Sequence, residues 1–232
     1  MKALVCVPTY NECENILPIL GAILTENPQV HVLVIDDNSP DGTAKLVKNL
    51  IETEKRVYLL SRAGKEGLGK AYLAGFDWGL KNGYEVVVEM DADFSHRPVD
   101  LKKILEAIKE KDFVIGSRYV PGGATLNWGR VRKIISRGGS LYSRIILGFP
   151  VHDWTGGFNA WKRNVLQGIH LEQVGSEGYS FQIELKYRAC KEKFKFQEVP
   201  ILFEDRRVGQ SKMRFRIVIE ALWRVWIMRF KI

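Results

Sequence analysis

A chain of 232 residues with 46% hydrophobic and 27% charged residues has the composition of an ordinary globular domain, which excludes a disordered tail. Its length favours one large domain over two small ones. The net charge of +8 favours an anionic partner, such as a nucleotide, a nucleic acid or an anionic membrane surface, and does not choose among them.

The three cysteines, Cys6, Cys13 and Cys190, follow neither a metal-binding nor a disulfide spacing. Their use favours a reducing, cytosolic setting. The apolar run at the N-terminus is too short for a signal peptide, and no uncharged apolar stretch of about 18 residues occurs. We therefore expect a protein that lies in the cytosol or on a membrane surface and does not cross the membrane.

In the first half of the chain, short β-rich runs alternate with longer segments of helical periodicity. Strands are predicted at residues 3–7, 30–36, 56–61, 84–91 and 112–117. Helices are predicted at residues 12–26, 41–53, 67–82 and 98–110. Continuous apolar strands that alternate with helices indicate an α/β fold, in which helices cover both faces of a mostly parallel sheet.

After residue 117 this pattern loosens into a Gly-rich loop. Residues 130–147 then form a basic amphipathic segment, and a helix is predicted near residues 177–192. The C-terminus, from about residue 214 to residue 232, is predicted to be a last amphipathic helix. Because no internal repeat or low-complexity linker divides the chain, we predict a single domain over residues 1–232.

Polar side chains gather at the carboxyl ends of three predicted strands. They are the groups Thr9-Tyr10-Asn11-Glu12, Asp36-Asp37-Asn38-Ser39 and Asp91-Ala92-Asp93. Ligands of open α/β sheets bind beyond the carboxyl ends of the strands. Three strand ends with acids and turn formers therefore predict one shared site.

The pair Asp91 and Asp93 is the most informative of these groups. Along a strand, side chains at i and i+2 point the same way, so the two carboxylates are predicted to lie together and to need a cation. Mg²⁺ or Mn²⁺ fits, held by one or two carboxylates plus substrate phosphates. The alternative is that one aspartate caps the helix at Pro98 and the other is a surface acid. Glycoside hydrolysis fits less well, because its two acids flank a bond from opposite sides.

Six segments of this sequence, in this order, closely resemble those of dolichol-phosphate mannose synthases, within family 2 of the inverting glycosyltransferases with the Rossmann-like GT-A fold. They are "VCVPTYNECENI", "VIDDNSPDGT", "EMDADFSHRP", "VIGSRY", "RKIISRGG" and "EVPILFEDRRVGQSKM". The resemblance runs from about residue 3 to about residue 213. Many family 2 enzymes share the opening motif and the DxD, whereas "RKIIS" with "FEDR…GQSK" is far more specific to enzymes that use polyprenyl phosphate.

The resemblance implies GDP-mannose as the donor and Mg²⁺ or Mn²⁺ as the cofactor. The residues implied for guanosine are Pro8, Tyr10, Glu12, Ile35 and Asp37. Those implied for the metal and the diphosphate are Asp91, Ala92 and Asp93, with the two acids as metal ligands. Those implied for the phosphates are Arg118, Arg206 and Lys212. Catalysis is assigned to Asp91, Asp93, Arg118 and Arg206. The family's third metal ligand corresponds to Ser95, a weaker neutral ligand that we leave out of the predicted metal site.

For the acceptor, the resemblance implies that Arg132 and Ser136 hold the phosphate of a polyprenyl or dolichyl phosphate. Their spacing of four residues places both on one helical face. A phosphate nucleophile is already anionic and needs no strong general base, so catalysis depends on positioning and on charge neutralisation. For Asp153, which lies where family 2 enzymes with hydroxyl acceptors carry a base, we expect a role in ordering its loop or binding sugar hydroxyls.

Residues 130–147 and the C-terminal helix combine basic with apolar and aromatic residues, as helices at a membrane interface do. The alternative is that each apolar face packs on the core of the domain. We expect peripheral binding to the cytoplasmic face of a membrane, directly or through a membrane-anchoring subunit.

Two other functions stay open, a family 2 transferase that uses UDP-glucose and a non-catalytic nucleotide-binding subunit. Nucleic-acid binding is disfavoured because the basic residues fall in phosphate and membrane motifs, and an oxidoreductase because "GKEGLGKAYLAG" lacks the G-x-G-x-x-G order.

Overall fold

The structure is a computed structural model, and it describes residues 1–205 and 215–232. Its strands are Ala3–Thr9 (β1), His31–Asp36 (β2), Val57–Ser61 (β3), Val86–Glu89 (β4), Phe113–Ser117 (β5), Ala124–Thr125 (β6), Asn159–Lys162 (β7), Phe196–Pro200 (β8) and Leu202–Phe203 (β9). Its α-helices are Ile16–Glu26 (α1), Thr43–Thr53 (α2), Leu68–Lys81 (α3), Pro98–Ala107 (α4), Arg130–Leu147 (α5), Arg163–Gly168 (α6), Gly178–Lys191 (α7) and Phe215–Lys231 (α8).

Seven strands form the main sheet in the order β3-β2-β1-β4-β7-β5-β8. Its pairings are parallel except those of β7, which runs antiparallel to β4 and β5. The prediction of a mostly parallel α/β sheet is therefore confirmed. The sequence analysis did not predict strand β7, because its four residues are too few to show a period and follow a segment rich in turn-forming residues. The strands β6 and β9 form a separate small sheet.

Helices cover both faces of this sheet, as predicted. Alternate residues of β1 and β2, such as Val5 and Val32, pack with apolar residues of α1, α2 and α4. Their neighbours, such as Cys6 and Ile35, pack with α3 and α7 on the other face. Helix α3 approaches the sheet closely at Gly75, where a Cβ atom would lie 2.6 Å from Ile35 Cδ1. A side chain at position 75 would therefore require Ile35 and Cys6 to shift.

The strand predicted at residues 84–91 ends earlier than the sequence suggests. The last residue of β4 is Glu89, which pairs with Cys6 of β1. Asp91 and Asp93 consequently lie in the loop that follows, where Phe94 takes a left-handed conformation with φ of 63°. The alternation of side chains along a strand is therefore not what orients the two aspartates, and that part of the prediction was wrong.

The amphipathic segment predicted at residues 130–147 is a helix with those bounds. Helix α8 packs against α5 and α7, and the Tyr142 hydroxyl donates a hydrogen bond of 3.1 Å to the Leu222 carbonyl. Among the residues that the structure describes, no helix is long and apolar enough to span a membrane.

Candidate active site

The ends of β1 and β2 are joined by a network centred on Asp36. Its carboxylate accepts hydrogen bonds from Thr9 Oγ1 at 3.0 Å, from the Ser39 backbone at 2.9 Å and from Ser39 Oγ at 2.6 Å. After each strand an asparagine takes a left-handed conformation, with φ of 61° at Asn11 and 57° at Asn38. Asparagine tolerates this conformation better than most residues, which explains the turn-forming residues at both strand ends.

Beside this network, Tyr10 and Asp37 contact residues from the loop after β3. Lys65 Nζ lies 4.0 Å from the centre of the Tyr10 ring. Asp37 is buried and accepts a hydrogen bond of 2.5 Å from Arg62 Nη1. Burial raises the pKa of Asp37, and the Arg62 guanidinium opposes that rise. The sequence analysis named Tyr10 and Asp37 but missed Arg62 and Lys65, because only the fold brings their loop to this edge.

The other residues predicted for the guanosine pocket differ in exposure. Pro8 is half-buried and stands opposite Ile35 in the register of β1 and β2. Glu12 is half-buried, and its Oε2 accepts a hydrogen bond of 2.9 Å from Asn15 Nδ2. Ile35 is fully buried in the core against α3, so the structure does not bring its side chain to the surface of the site.

Hydrogen bonds within the loop after β4, and one from α3, hold the two aspartates. The Asp91 backbone N–H donates to His96 Nδ1 at 3.0 Å, and Tyr72 Oη donates to Asp91 Oδ1 at 3.4 Å. Asp93 is buried, and its Oδ1 accepts a hydrogen bond of 3.0 Å from the Ser95 backbone. The Asp91 side chain keeps 30% of its surface exposed, while Ala92 is buried. The loop thus presents one accessible carboxylate next to a buried one.

The chemistry of this loop fits a divalent cation that shares its ligands with a substrate. In the described part of the chain, no group of three or more His, Cys, Asp or Glu side chains could hold a metal ion alone. Two carboxylates plus substrate phosphates is the ligand set that Mg²⁺ usually takes. Ser95 Oγ adds a buried neutral oxygen that has no hydrogen-bond partner among the described residues. Asp91 and Asp93 therefore fit the predicted metal site.

Arg118 and Asp153 form a buried ion pair near the end of β5. Arg118 Nε and Nη2 donate to Asp153 Oδ2 and Oδ1, both at 2.7 Å, and the Gly156 backbone donates to Oδ1 at 2.9 Å. Burial would raise the pKa of Asp153, but the Arg118 guanidinium holds it below its ordinary value. Asp153 thus orders its loop, which is one of the two roles that the sequence analysis expected for it. The guanidinium of Arg118, predicted to meet phosphates, is committed to this pair.

Beneath that loop lies a buried polar layer that the sequence analysis missed. Lys186 Nζ donates to the carbonyls of Asp153 at 3.1 Å, Trp154 at 3.1 Å and Gly156 at 2.7 Å. Glu89 accepts hydrogen bonds from Trp161 Nε1 and from Gln182. Burial lowers the pKa of Lys186 and raises the pKa of Glu89. The available signal was the carboxylate of Glu89 within an otherwise apolar strand.

The two residues predicted for the acceptor phosphate lie on the inward side of α5. Arg132 Nη1 donates to Asp205 Oδ1 at 2.8 Å, and its guanidinium lies 4.0 Å from the centre of the Trp128 ring. Ser136 Oγ accepts a hydrogen bond of 2.6 Å from Tyr119 Oη. The structure thus brings the two together on one helical face. Arg206 and Lys212, also predicted for the site, lie outside the described residues.

Among solved structures, the chain shares its fold with glycosyltransferases. One is a mannosyltransferase of Pyrobaculum calidifontis, solved with GDP-Man and Mn²⁺. The likeness covers 97% of this chain and 63% of that one, with a TM-score of 0.63 and 19% sequence identity. At that identity the likeness shows the fold, which is the predicted GT-A architecture.

The sequence itself gives the family. The model of glycosyl transferase family 2 matches residues 4–169, so the chain belongs to that family. It is 49% identical over 226 residues to a polyprenol monophosphomannose synthase of Mycolicibacterium smegmatis, covering 97% of this chain and 85% of that protein. It is 46% identical over 222 residues to an undecaprenyl-phosphate mannosyltransferase of Micrococcus luteus, covering 96% of this chain and 91% of that protein.

Proposed function

We propose that this protein transfers mannose from GDP-mannose to a polyprenyl phosphate and so forms a β-linked mannosyl phosphoryl lipid. The observation that carries the proposal is its similarity to two mannosyltransferases named for polyprenyl-type acceptors, over 97% and 96% of the chain. That similarity extends beyond residue 169, where the general family match ends. It therefore includes segments that distinguish enzymes within the family.

The donor would bind at the ends of β1 and β2. The face of Tyr10 offers a wall for the base, and the carboxylate of Asp37 offers an acceptor for the N–H groups on the edge of guanine. Lys65 and Arg62 already contact these two residues and add positive charge beside the phosphates of a nucleotide. The fold is one in which GDP-Man has been bound in the Pyrobaculum enzyme.

Asp91 and Asp93 would hold Mg²⁺ or Mn²⁺ together with the diphosphate of the donor. When bound, the ion neutralises charge on the departing GDP. The loop contributes by holding the acids in place, because the Asp91 N–H donates a hydrogen bond to His96 and Asp93 Oδ1 accepts one from the Ser95 backbone. Arg206 and Lys212 remain the residues proposed for the remaining phosphate charge. Arg118 was also predicted for it, but its guanidinium is already neutralised by Asp153, so its proposed contribution is smaller.

The nucleophile would be an oxygen of the lipid phosphate, held by Arg132 and Ser136. That oxygen forms the new bond to the anomeric carbon, while the bond from this carbon to GDP breaks and its electron pair leaves with GDP. No proton has to be removed from the nucleophile, because a phosphate monoester is already anionic. The burial of Asp153 and its pairing with Arg118 agree with a site that needs no general base.

The acceptor would be reached from a membrane surface through α5 and α8. Apolar side chains more than half exposed occur on both helices, which pack together; these are Val131, Ile134, Leu141, Ile145, Trp223 and Phe230. Exposed basic residues stand among them, including Arg130, Lys133 and Arg229. This combination suits an anionic membrane surface. We propose peripheral binding at the cytoplasmic face, either directly or with a membrane-anchoring subunit.

The decisive experiment offers the protein a choice of donors. Radiolabelled GDP-mannose or UDP-glucose is incubated with polyprenyl phosphate, the protein and Mg²⁺ or Mn²⁺, and label in the organic phase is measured. We expect transfer from GDP-mannose only. Transfer from UDP-glucose alone would contradict the donor, and no transfer from either would favour a non-catalytic nucleotide-binding subunit.

A further inference from the structure

His96 occupies the junction between the metal-binding loop and β9. It is buried, and its Nδ1 accepts the hydrogen bond of 3.0 Å from the Asp91 backbone N–H. Since Nδ1 accepts, the ring is neutral and carries its proton on Nε2. Burial lowers the pKa of His96, in agreement with the neutral ring.

The ring of His96 is clamped by two phenylalanines. Phe158 stacks on it, with ring centres 4.8 Å apart and an angle of 20° between the planes. Phe203 of β9 meets it edge-on, at 5.3 Å and 80°. The backbones are also joined, because His96 bridges Phe203 and the Glu204 N–H donates to the Ser95 carbonyl at 3.2 Å. These contacts hold the His96 ring in the orientation that accepts from the Asp91 N–H.

On its other side, Phe203 continues the contact towards the acceptor helix. Trp128 meets Phe203 edge-on, with ring centres 5.3 Å apart at 77°. The Arg132 guanidinium in turn lies over the Trp128 ring, 4.0 Å from its centre. An unbroken line of contacts thus runs from the backbone of Asp91 through His96, Phe203 and Trp128 to Arg132.

We propose that His96 is a positioning residue that holds the metal-binding loop against β9 and thereby sets the donor site relative to the acceptor-phosphate site. The inference rests on the proposed function, since it needs a metal and donor at Asp91 and a lipid phosphate at Arg132. The physical reason is that transfer requires the two phosphates at a fixed separation, and small misplacements are costly. A neutral acceptor satisfies the Asp91 N–H without adding charge beside the cation.

Two substitutions separate this role from simple packing. The Asn oxygen of His96→Asn occupies the position of Nδ1, whereas the Gln oxygen of His96→Gln reaches the position of Nε2. We expect His96→Asn to bind Mn²⁺ in the presence of GDP as the parent protein does, by electron paramagnetic resonance. We expect His96→Gln and His96→Phe to weaken that binding, and to raise the KM for GDP-mannose, by about tenfold to a hundredfold, the usual effect of losing a group that orients a metal ligand.

Melting temperatures of all three variants identify any that fail to fold. If His96→Gln and His96→Phe fail to fold, Mn²⁺ binding by His96→Asn still tests the proposal, because weaker binding by that variant would contradict it. Equal Mn²⁺ binding by the Asn and Gln variants, or parent-like binding by His96→Phe, would overturn the positioning role. Asp93→Ala separates this outcome from failure of the proposed function. If that variant binds Mn²⁺ with GDP normally, the metal site itself is wrong; if it loses binding while His96→Gln does not, only the His96 inference fails.

The link to the acceptor is tested at Phe203, with His96 intact. Phe203→Leu is expected to raise the KM for polyprenyl phosphate about tenfold, through loss of the ring that supports Trp128 and Arg132. Leu126→Ser, at an exposed position of the same region, is the matched control and is expected to leave this KM unchanged. A Phe203→Leu variant with a lower melting temperature but an unchanged KM for the acceptor would overturn the link.

Discussion

Two regions of the molecule use polar and apolar residues in opposite ways. One is the site at the carboxyl ends of the strands, called the edge below, and the other is the exposed apolar surface of α5 and α8, called the α5–α8 face. At the edge, charged side chains are buried and held by partners, as Asp37 is by Arg62 and Asp153 by Arg118. On the α5–α8 face, large apolar side chains such as Ile145 and Phe230 are 72% and 78% exposed. The edge is therefore built for fixed geometry, as phosphate chemistry requires, whereas the face is suited to an adaptable lipid surface.

The two regions should also respond differently to mutation. Removing one partner of a buried ion pair leaves an uncompensated charge and costs about 3–5 kcal/mol. Removing one exposed apolar side chain changes the stability of the fold by less than about 0.5 kcal/mol. Changes at the edge should therefore impair chemistry or folding, and changes on the face should impair membrane association alone.

The largest effect is expected at the metal-binding loop. Asp93→Ala should reduce mannosyl transfer at least about a hundredfold, because Asp93 is proposed to hold the ion that neutralises leaving-group charge. Transfer of label to the lipid phase measures this. Chelation of divalent ions should give the same loss and Mg²⁺ or Mn²⁺ should reverse it. Asp77→Ala, an exposed acid on α3, is the control, and equal loss in both variants would contradict the assignment.

The next largest effect concerns the ion pair beneath the edge. Asp153→Asn should lower the free energy of unfolding by about 3–5 kcal/mol near neutral pH, because Arg118 stays buried without its counter-charge. Urea denaturation measures the loss. A double variant with apolar residues of similar size at both positions should recover much of the stability, and a double variant no better than Asp153→Asn would argue against an uncompensated charge as the cause.

The same pair predicts a dependence on pH. Arg118 holds the pKa of Asp153 below its ordinary value of 3.8, although burial acts in the opposite direction. The stabilisation is therefore fully present above pH 3.8 and is lost as the pH falls through the lower pKa of the folded state. The difference in unfolding free energy between the parent and Asp153→Asn should shrink over that acidic range. A constant difference would show that the charge of Asp153 is not involved.

A smaller, more selective effect is expected where the edge meets the face. Arg132→Met should raise the KM for polyprenyl phosphate about tenfold, since a hydrogen bond to a charged group contributes about 1.5–3 kcal/mol. Binding of GDP, measured by calorimetry, should stay unchanged. Lys133→Met, at an exposed neighbouring position on α5, is the matched control. An equal rise in both variants would indicate general attraction to the anionic lipid instead of a phosphate site at Arg132.

The smallest effect on chemistry is expected on the face itself. Trp223→Ser with Ile145→Ser should weaken binding to anionic vesicles tenfold or more, since each buried apolar side chain contributes about 1.5–3 kcal/mol. Transfer to a short, water-soluble prenyl phosphate should be unaffected. Leu17→Ser on α1, on the opposite face of the sheet, serves as the control in vesicle sedimentation. Unchanged vesicle binding by the double variant would place the membrane contact elsewhere.

Much of the edge could be predicted from the sequence, because the residue patterns that indicate it lie within single segments of the chain. The strands β1, β2, β3 and β5 are continuous apolar runs, the helix α5 has a helical period, and Asp91 and Asp93 stand out after an apolar run. The partners of these residues could not be read in the same way. Arg62 and Lys186 lie far along the chain from Asp37 and Asp153, so no spacing reveals these contacts. His96 is close to Asp91 in the sequence, but its hydrogen bond with the Asp91 N–H depends on how the loop folds.

By itself, the sequence determined the α/β class, the acidic loop and the two amphipathic helices, since periodicity and residue type act over one element at a time. Only the tertiary structure decided that β7 enters the sheet between β4 and β5, that Asp153 closes on Arg118, and that Phe203 lies between His96 and Trp128. These contacts join segments far apart in the chain. They form because strand pairing, the packing of apolar rings and the pairing of buried charges are decided together by the whole fold.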